Sequence, residues 1–264
     1  MYEIAAEQSP EISISVVSHA QIQLIEDLLH DINQHCRTLS IELIITLNLD
    51  ERLPFATDGF LFPIKVIRNL IPKGFATNHN QAFTYATGQF FCVINPDVRL
   101  NDNPFKALRA CLQDSVIGVA APLILNTSGE IEDSARRFPT PFKILCKAFG
   151  KCKGSDYLVK DKSIFPDWVG GMFMLFPRDV FKKIGGFDQR YFLYYEDVNL
   201  CARLRVKGYA VAVCPDAKAI HHARRSSHYS LKFLKWHLMS MIRFFCSSLF
   251  LKILWLRWRK KSHG

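Results

Sequence analysis

The positions of the apolar residues alternate between two periods through the first half of the chain. Ile12–Ser18 is a β-branched run that ends in polar residues, the pattern of a buried strand. Ile22, Ile25, Leu28, Leu29 and Ile32 then recur at helical spacing. Ile41–Leu47 and residues 64–67 read as a second and third strand, residues 78–86 as a helix, and Phe90–Ile94 as a fourth strand. Residues 101–112 read as a further helix, capped near Asn101 or Asp102. Strand, helix, strand, strand, helix, strand predicts an α/β fold. Its centre is a Rossmann-like, doubly wound, mostly parallel sheet with helices on both faces. Ligands of such sheets bind beyond the carboxyl ends of the strands. Ser18, Asn48, Asn69 and the run Asn95-Pro96-Asp97 all fall there.

The second half is less regular. Pro139, Pro141, Gly150 and Gly154 punctuate residues 126–166, which predicts a loop-rich insertion with one short helix over residues 142–149. Residues 168–176 pair Gly170-Gly171 with an apolar strand, and Pro177 opens a short helix ending at Gly185-Gly186. Glu196–Val206 is helical by pattern and stops at Gly208, after which residues 210–214 and 217–222 read as strand.

Composition refines this picture. A chain of 264 residues buries a sizeable core and has room for one or two domains. The formal net charge is +10, yet no Asp or Glu follows Asp216, while eleven of the 34 Lys and Arg do. That leaves 23 cations against 24 carboxylates in the first 216 residues, a balance of about −1. The positive charge is therefore local, which argues against a nucleic-acid partner. Eight Cys occur without a C-x-x-C pair, and Cys92 and Cys214 sit inside apolar runs, as in a reduced protein. Residues 1–10 lack the apolar core of a signal peptide, so a cytoplasmic location is expected.

Four segments carry candidate chemistry. Asp97, just past an apolar strand, offers a carboxylate to a divalent cation that could bridge a diphosphate, although Asn-Pro-Asp is also ordinary turn chemistry. Glu196 and Asp197 open a helix, where acids serve its dipole but could also deprotonate a hydroxyl. Residues 73–80, with Gly74 and Asn80, could let backbone and amide groups approach a nucleotide; a capping loop has the same composition. His221, after the last strand, could complete a metal shell or stay structural.

Taken in order, Ser18, Asn95-Pro96-Asp97, Trp168-Val169-Gly170-Gly171, Gly185-Gly186-Phe187-Asp188, Glu196-Asp197 and His221 resemble glycosyltransferase family 2. Within that family the likeness is to bacterial rhamnosyltransferases of O-antigen or cell-wall linker synthesis, over roughly residues 12–236. The resemblance implies a GT-A fold across residues 1–230, with a nucleotide-binding half at about 10–125 and an acceptor half at about 126–230. It also implies a nucleoside-diphosphate sugar donor, Mg2+ or Mn2+, and inversion at the anomeric carbon. By position, Ser18, Asn69, Gly74, Asn80, Asn95 and Asp97 belong to the donor side, and Asp97 and His221 to the metal. Trp168, Gly170 and Gly171 match the acceptor wall, while Asp197, with Glu196 beside it, matches the catalytic base. Two departures stand out. Asn95 replaces the first carboxylate of the family's D-x-D, and residues 46–50 lack its acidic-Asn-Asn-Ser strand ending. Rhamnose is the expected sugar; galactofuranose, glucose, an N-acetylhexosamine and a non-catalytic binding protein are the alternatives.

The tail, residues 231–264, mixes Leu, Phe and Trp with Lys and Arg. Its longest uncharged stretch, residues 244–251, is too short to span a bilayer. A helix of this kind suits the headgroup region of an anionic membrane, here the inner face of the cell membrane, where a lipid-linked saccharide acceptor would lie. Packing on the domain, or against a second subunit in a homodimer, is the competing reading.

Overall fold

The computed structural model describes residues 9–150, 154–222 and 231–262. The first eight residues, Cys152 and the Arg224-Arg225 part of the basic stretch lie outside the described residues.

One eight-stranded sheet organises the chain. Its first four strands are β1 (Ile12–Ser18), β2 (Ile41–Leu47), β3 (Ile64–Arg68) and β4 (Phe90–Ile94). They are joined by β5 (Val98–Arg99), β6 (Ile117–Leu125), β9 (Phe173–Pro177) and β10 (Ala210–His221), while β7 (Ala135–Arg136) and β8 (Trp168–Val169) form a separate ribbon. The order across the sheet is β3-β2-β1-β4-β9-β6-β10-β5. β3, β2, β1 and β4 are parallel, as are β6 and β10. β9 inserts antiparallel to both β4 and β6, and β5 antiparallel to β10. The sheet is thus mixed, with its first four strands parallel as the pattern predicts.

Alternation along the strands divides the core into two layers. Ile12, Ile14, Leu43, Ile45, Cys92 and Ile94 face α1 (Ile22–His35) and α3 (Phe105–Cys111). Ile44, Phe91, Val93, Met174 and Phe176 face the other helices. These are α2 (Phe75–Tyr85), α5 (Arg178–Lys183), α6 (Glu196–Val206), α7 (Leu231–Phe245) and α8 (Ser248–Ser262). α4 (Pro141–Ala148) is the short helix of the insertion.

Three local differences from the pattern have physical causes. α2 begins at Phe75 rather than at residue 78, because the carbonyl of Gly74 already accepts the N–H of Asn78 at 3.1 Å. α3 begins at Phe105, and its capping side chain is Asn103, whose Oδ1 accepts the Phe105 N–H at 3.0 Å. β6, a nine-residue central strand, has no counterpart in the pattern. Pro122 lies within it opposite Cys214, where β10 bulges before pairing resumes between Lys218 and Leu123.

Candidate active site

Register brings the first carboxylate to its partners. β5 follows Asp97 directly and pairs with the end of β10, Val98 opposite His221. The N–H of His222 donates to the Asp97 carbonyl at 2.8 Å. Asp97 Oδ2 consequently lies 3.5 Å from His221 Nε2, while Oδ1 is buried with no hydrogen-bond partner among the described residues. On its far side His221 Nδ1 is 2.9 Å from Glu132 Oε2. A turn after β6 returns the chain there, with the Glu132 N–H donating to Ile124 O at 2.8 Å. Burial disfavours a charge on His221, but hydrogen bonds to Asp97 and Glu132 outweigh it and hold the imidazolium up to about 9. Glu132 belongs to no sequence motif, and only this register reveals it.

The second carboxylate opens α6. Asp197 Oδ1 accepts the Val198 N–H at 2.7 Å, and Oδ2 accepts the N–H of Gly171 at 3.1 Å. Burial raises its affinity for a proton, opposed by those two amides and by the charge of Arg136. Glu196 is different: it is buried, its Oε2 has no hydrogen-bond partner among the described residues, and burial together with the Asp197 charge pushes its carboxyl well above the usual range. The neighbouring acids are therefore differentiated: burial and the Asp197 charge push the Glu196 carboxyl upward, and Asp197 is the one with hydrogen bonds that favour a carboxylate. The turn into α6 is strained, since Tyr194 and Tyr195 have φ of +69° and +65°. A non-glycine residue in that region costs about 1–3 kcal/mol.

Ser18 ends β1 and donates to Glu51 Oε2 at 2.6 Å. Asn48, Asn69 and Asn78 form an amide cluster: Asn69 Nδ2 donates to Asn48 Oδ1 at 2.9 Å and to Asn78 Oδ1 at 2.7 Å. Asn69 Oδ1 is buried and has no partner among the described residues. Asn95 borders the acceptor half, its N–H donating to Met172 O at 2.8 Å. Two residues expected against the donor make close contacts within the protein. Asn80 joins both amide atoms to the backbone of Phe187, at 2.8 and 2.9 Å. Gly74 is required for packing, since a Cβ there would lie 2.4 Å from the carbonyl oxygen of Phe192.

Of the three residues expected at the acceptor, Trp168 lines a cleft of about 590 Å3, together with Arg136, Asp197, Phe233, Leu234 and His237 among others. Trp168 Nε1 donates to Arg137 O at 3.0 Å, and the Arg136 guanidinium lies 5.5 Å from the indole centroid. Gly170 donates its N–H to Ser134 O at 3.0 Å, joining the β7–β8 ribbon to this wall. The tail closes the rim. Asp167 accepts Arg205 of α6 at 3.1 Å and also binds Arg257 of α8.

This arrangement is the GT-A fold of glycosyltransferases, a curled and mostly parallel sheet carrying acids at its strand ends. GalNAc-T7, solved with UDP, GalNAc and Mn2+, matches it with a TM-score of 0.64 at 17% identity, over 89% of this chain and 48% of that one. The mannosyltransferase PcManGT from Pyrobaculum calidifontis, solved with GDP-Man and Mn2+, gives 0.61 at 17% identity, over 90% and 65%. Residues 62–236 match Glycosyltransferase like family 2, and the chain belongs to that family. It is a glycosyltransferase of rhamnosyltransferase-like sequence. The rhamnosyltransferase WbbL of Escherichia coli K12 is 27% identical over 248 residues, 88% of this chain and 91% of that protein. The N-acetylglucosaminyl-diphospho-decaprenol L-rhamnosyltransferase of Mycobacterium tuberculosis H37Rv is 30% identical over 145 residues, 51% of this chain and 47% of that enzyme.

Proposed function

We propose that the protein transfers rhamnose from dTDP-rhamnose, with inversion, to a hydroxyl of a lipid-linked saccharide, and that Asp197 is the general base. The observation that carries this reading is the Asp197 carboxylate at the edge of the acceptor cleft, oriented by the Gly171 N–H at 3.1 Å. The acceptor hydroxyl gives its proton to Asp197 as its oxygen bonds to the anomeric carbon, and the bond from that carbon to the diphosphate oxygen breaks. The nucleoside diphosphate leaves on the opposite face. Ser18, Asn69 and Asn95 border the donor side, and Trp168, Gly170 and Gly171 the acceptor side.

Asp97 and His221 would fit a divalent cation, since a buried carboxylate oxygen without a partner among the described residues stands beside an imidazole that, on releasing its proton, would add a nitrogen donor suited to Mg2+ or Mn2+. The cation's chemistry there is neutralisation of charge on the leaving diphosphate. Among the described residues no three His, Cys, Asp or Glu side chains converge as a metal site, and the protein's part in holding a cation would fall to Asp97 and His221.

The tail supports attachment to a membrane surface. Leu234, Leu238, Met239 and Ile242 of α7 and Leu251, Trp255 and Trp258 of α8 are exposed. Among the described residues no single helix is long and apolar enough to cross a bilayer; α7 and residues 248–259 do so only as a pair bent by 58°. Flotation with anionic liposomes tests this, and a Trp255→Glu/Trp258→Glu variant that floats like the parent contradicts it. For the reaction, the protein is incubated with Mn2+, an N-acetylglucosamine diphosphate-lipid and each of four donors: dTDP-rhamnose, UDP-galactofuranose, UDP-glucose and UDP-N-acetylglucosamine. Transfer from dTDP-rhamnose is expected. Transfer from another donor alone overturns the sugar assignment.

A further inference from the structure

We infer that α7 is a positioning element for Asp197: Ser240 and His237 clamp the strained turn that leads into α6. This rests on the reading of Asp197 as the base. Tyr194 and Tyr195 both hold left-handed backbone immediately before Glu196 and Asp197. Such a turn persists only where its surroundings over-determine it.

α7 supplies those surroundings from one side. Ser240, 5% exposed, donates its hydroxyl to the carbonyl of Leu193 at 3.0 Å. The His237 ring meets Tyr194 and Tyr195 edge-on, at 5.3 and 5.5 Å between centroids. Trp236 covers Phe192 at 4.7 Å, and Phe244 lies 5.8 Å from Tyr195. α2 holds the same turn from below, where the Phe75 N–H donates to the Phe192 carbonyl at 3.0 Å. Each residue from 192 to 195 thus touches α7, and the backbone between them is gripped from two directions.

Core burial alone is a poor account of this helix. Of its fifteen residues only Ser240 and Phe244 are buried, and both contact the turn or the residue that caps α6. Leu231, Leu234, Leu238, Met239 and Ile242 stay exposed. α7 also packs on α8 through Phe244 and Phe245 against Phe250, while Trp236, His237 and Ser240 bear on the segment that sets where α6 begins. Asp197 is the second residue of α6, and its 3.1 Å bond to Gly171 N–H has little length to spare before it is lost.

The test compares Ser240→Ala/His237→Ala, Ser240→Ala alone, His237→Phe and Asp197→Asn in the full chain, with kcat, both KM values and thermal melts. The double variant is expected to lose about tenfold or more in kcat with donor KM within about twofold, because small misplacements of a base are costly. His237→Phe, which keeps the ring contacts, should recover most of the rate. If the double variant does not fold, Ser240→Ala should still lose about threefold in kcat. Unchanged kcat, or a loss confined to acceptor KM, overturns the clamp, as does a loss that His237→Phe fails to recover. Silent clamp variants beside an inactive Asp197→Asn leave the base assignment standing and remove the clamp alone. An Asp197→Asn that turns over normally removes both.

Discussion

The N–H of Gly171 meets Asp197 Oδ2 at 3.1 Å, while the carbonyl of the next residue, Met172, accepts the N–H of Asn95 at 2.8 Å. Two consecutive residues therefore tie the helix that bears Asp197 to the strand end that bears Asp97. The two carboxylates are separated by a hundred positions in the chain but by only a few bonded contacts in the fold.

Gly171→Ala tests that coupling. A Cβ at this position would stand 3.3 Å from the Phe75 ring and 3.7 Å from Asp197 Cβ. The core has to give by a fraction of an ångström, and kcat is expected to fall by about tenfold with the thermal melt nearly unchanged. Wild-type kcat would mean that the Gly171 contact does not orient Asp197.

Asp97→Asn keeps the shape of the side chain and removes its charge. Donor affinity measured with Mn2+ should weaken by about tenfold or more, and affinity measured without metal should stay the same. Equal affinities with Mn2+ for parent and variant would reduce Asp97 to a turn residue.

His79 makes a prediction about stability and pH. It is fully enclosed between the Ser15 hydroxyl at 2.8 Å and the rings of Phe75 and Phe187, and burial pulls its affinity for a proton down to about 3 from 6.5. Below pH 6.5 the unfolded chain takes up a proton that the folded chain refuses until about pH 3. Stability should accordingly fall by about 1.4 kcal/mol per pH unit across that window from this group. Urea melts at several pH values measure the slope, and His79→Phe should remove this contribution even though it leaves Ser15 without its partner. A parent and variant with the same slope would contradict it.

How far the sequence reaches depends on whether a feature is local. β1, β2 and β4 were legible because Ile12, Ile14, Leu43, Ile45, Cys92 and Ile94 alternate onto one buried face. β6 was not, since Ala120-Ala121-Pro122 lacks β-branched residues and its proline is tolerated only by the bulge opposite. The antiparallel insertion of β9 between β4 and β6 is set by long-range pairing that no local period encodes. Asp97, Asp197 and His221 sit at element ends, where the sequence pattern alone points to them. Glu132, which bonds to His221, and Glu51, which bonds to Ser18, lie in irregular turns whose partners are brought by strand register. The bonds of Asn80 to the backbone of Phe187 are likewise long-range and have no local signal.

Turnover by Asp197→Asn at saturating donor and acceptor tests the central claim most directly. The amide keeps the volume of the carboxylate and removes its basicity, so the account predicts a fall in kcat of about a hundredfold or more with donor affinity unchanged. Near-parental turnover by this variant would contradict Asp197 as the base.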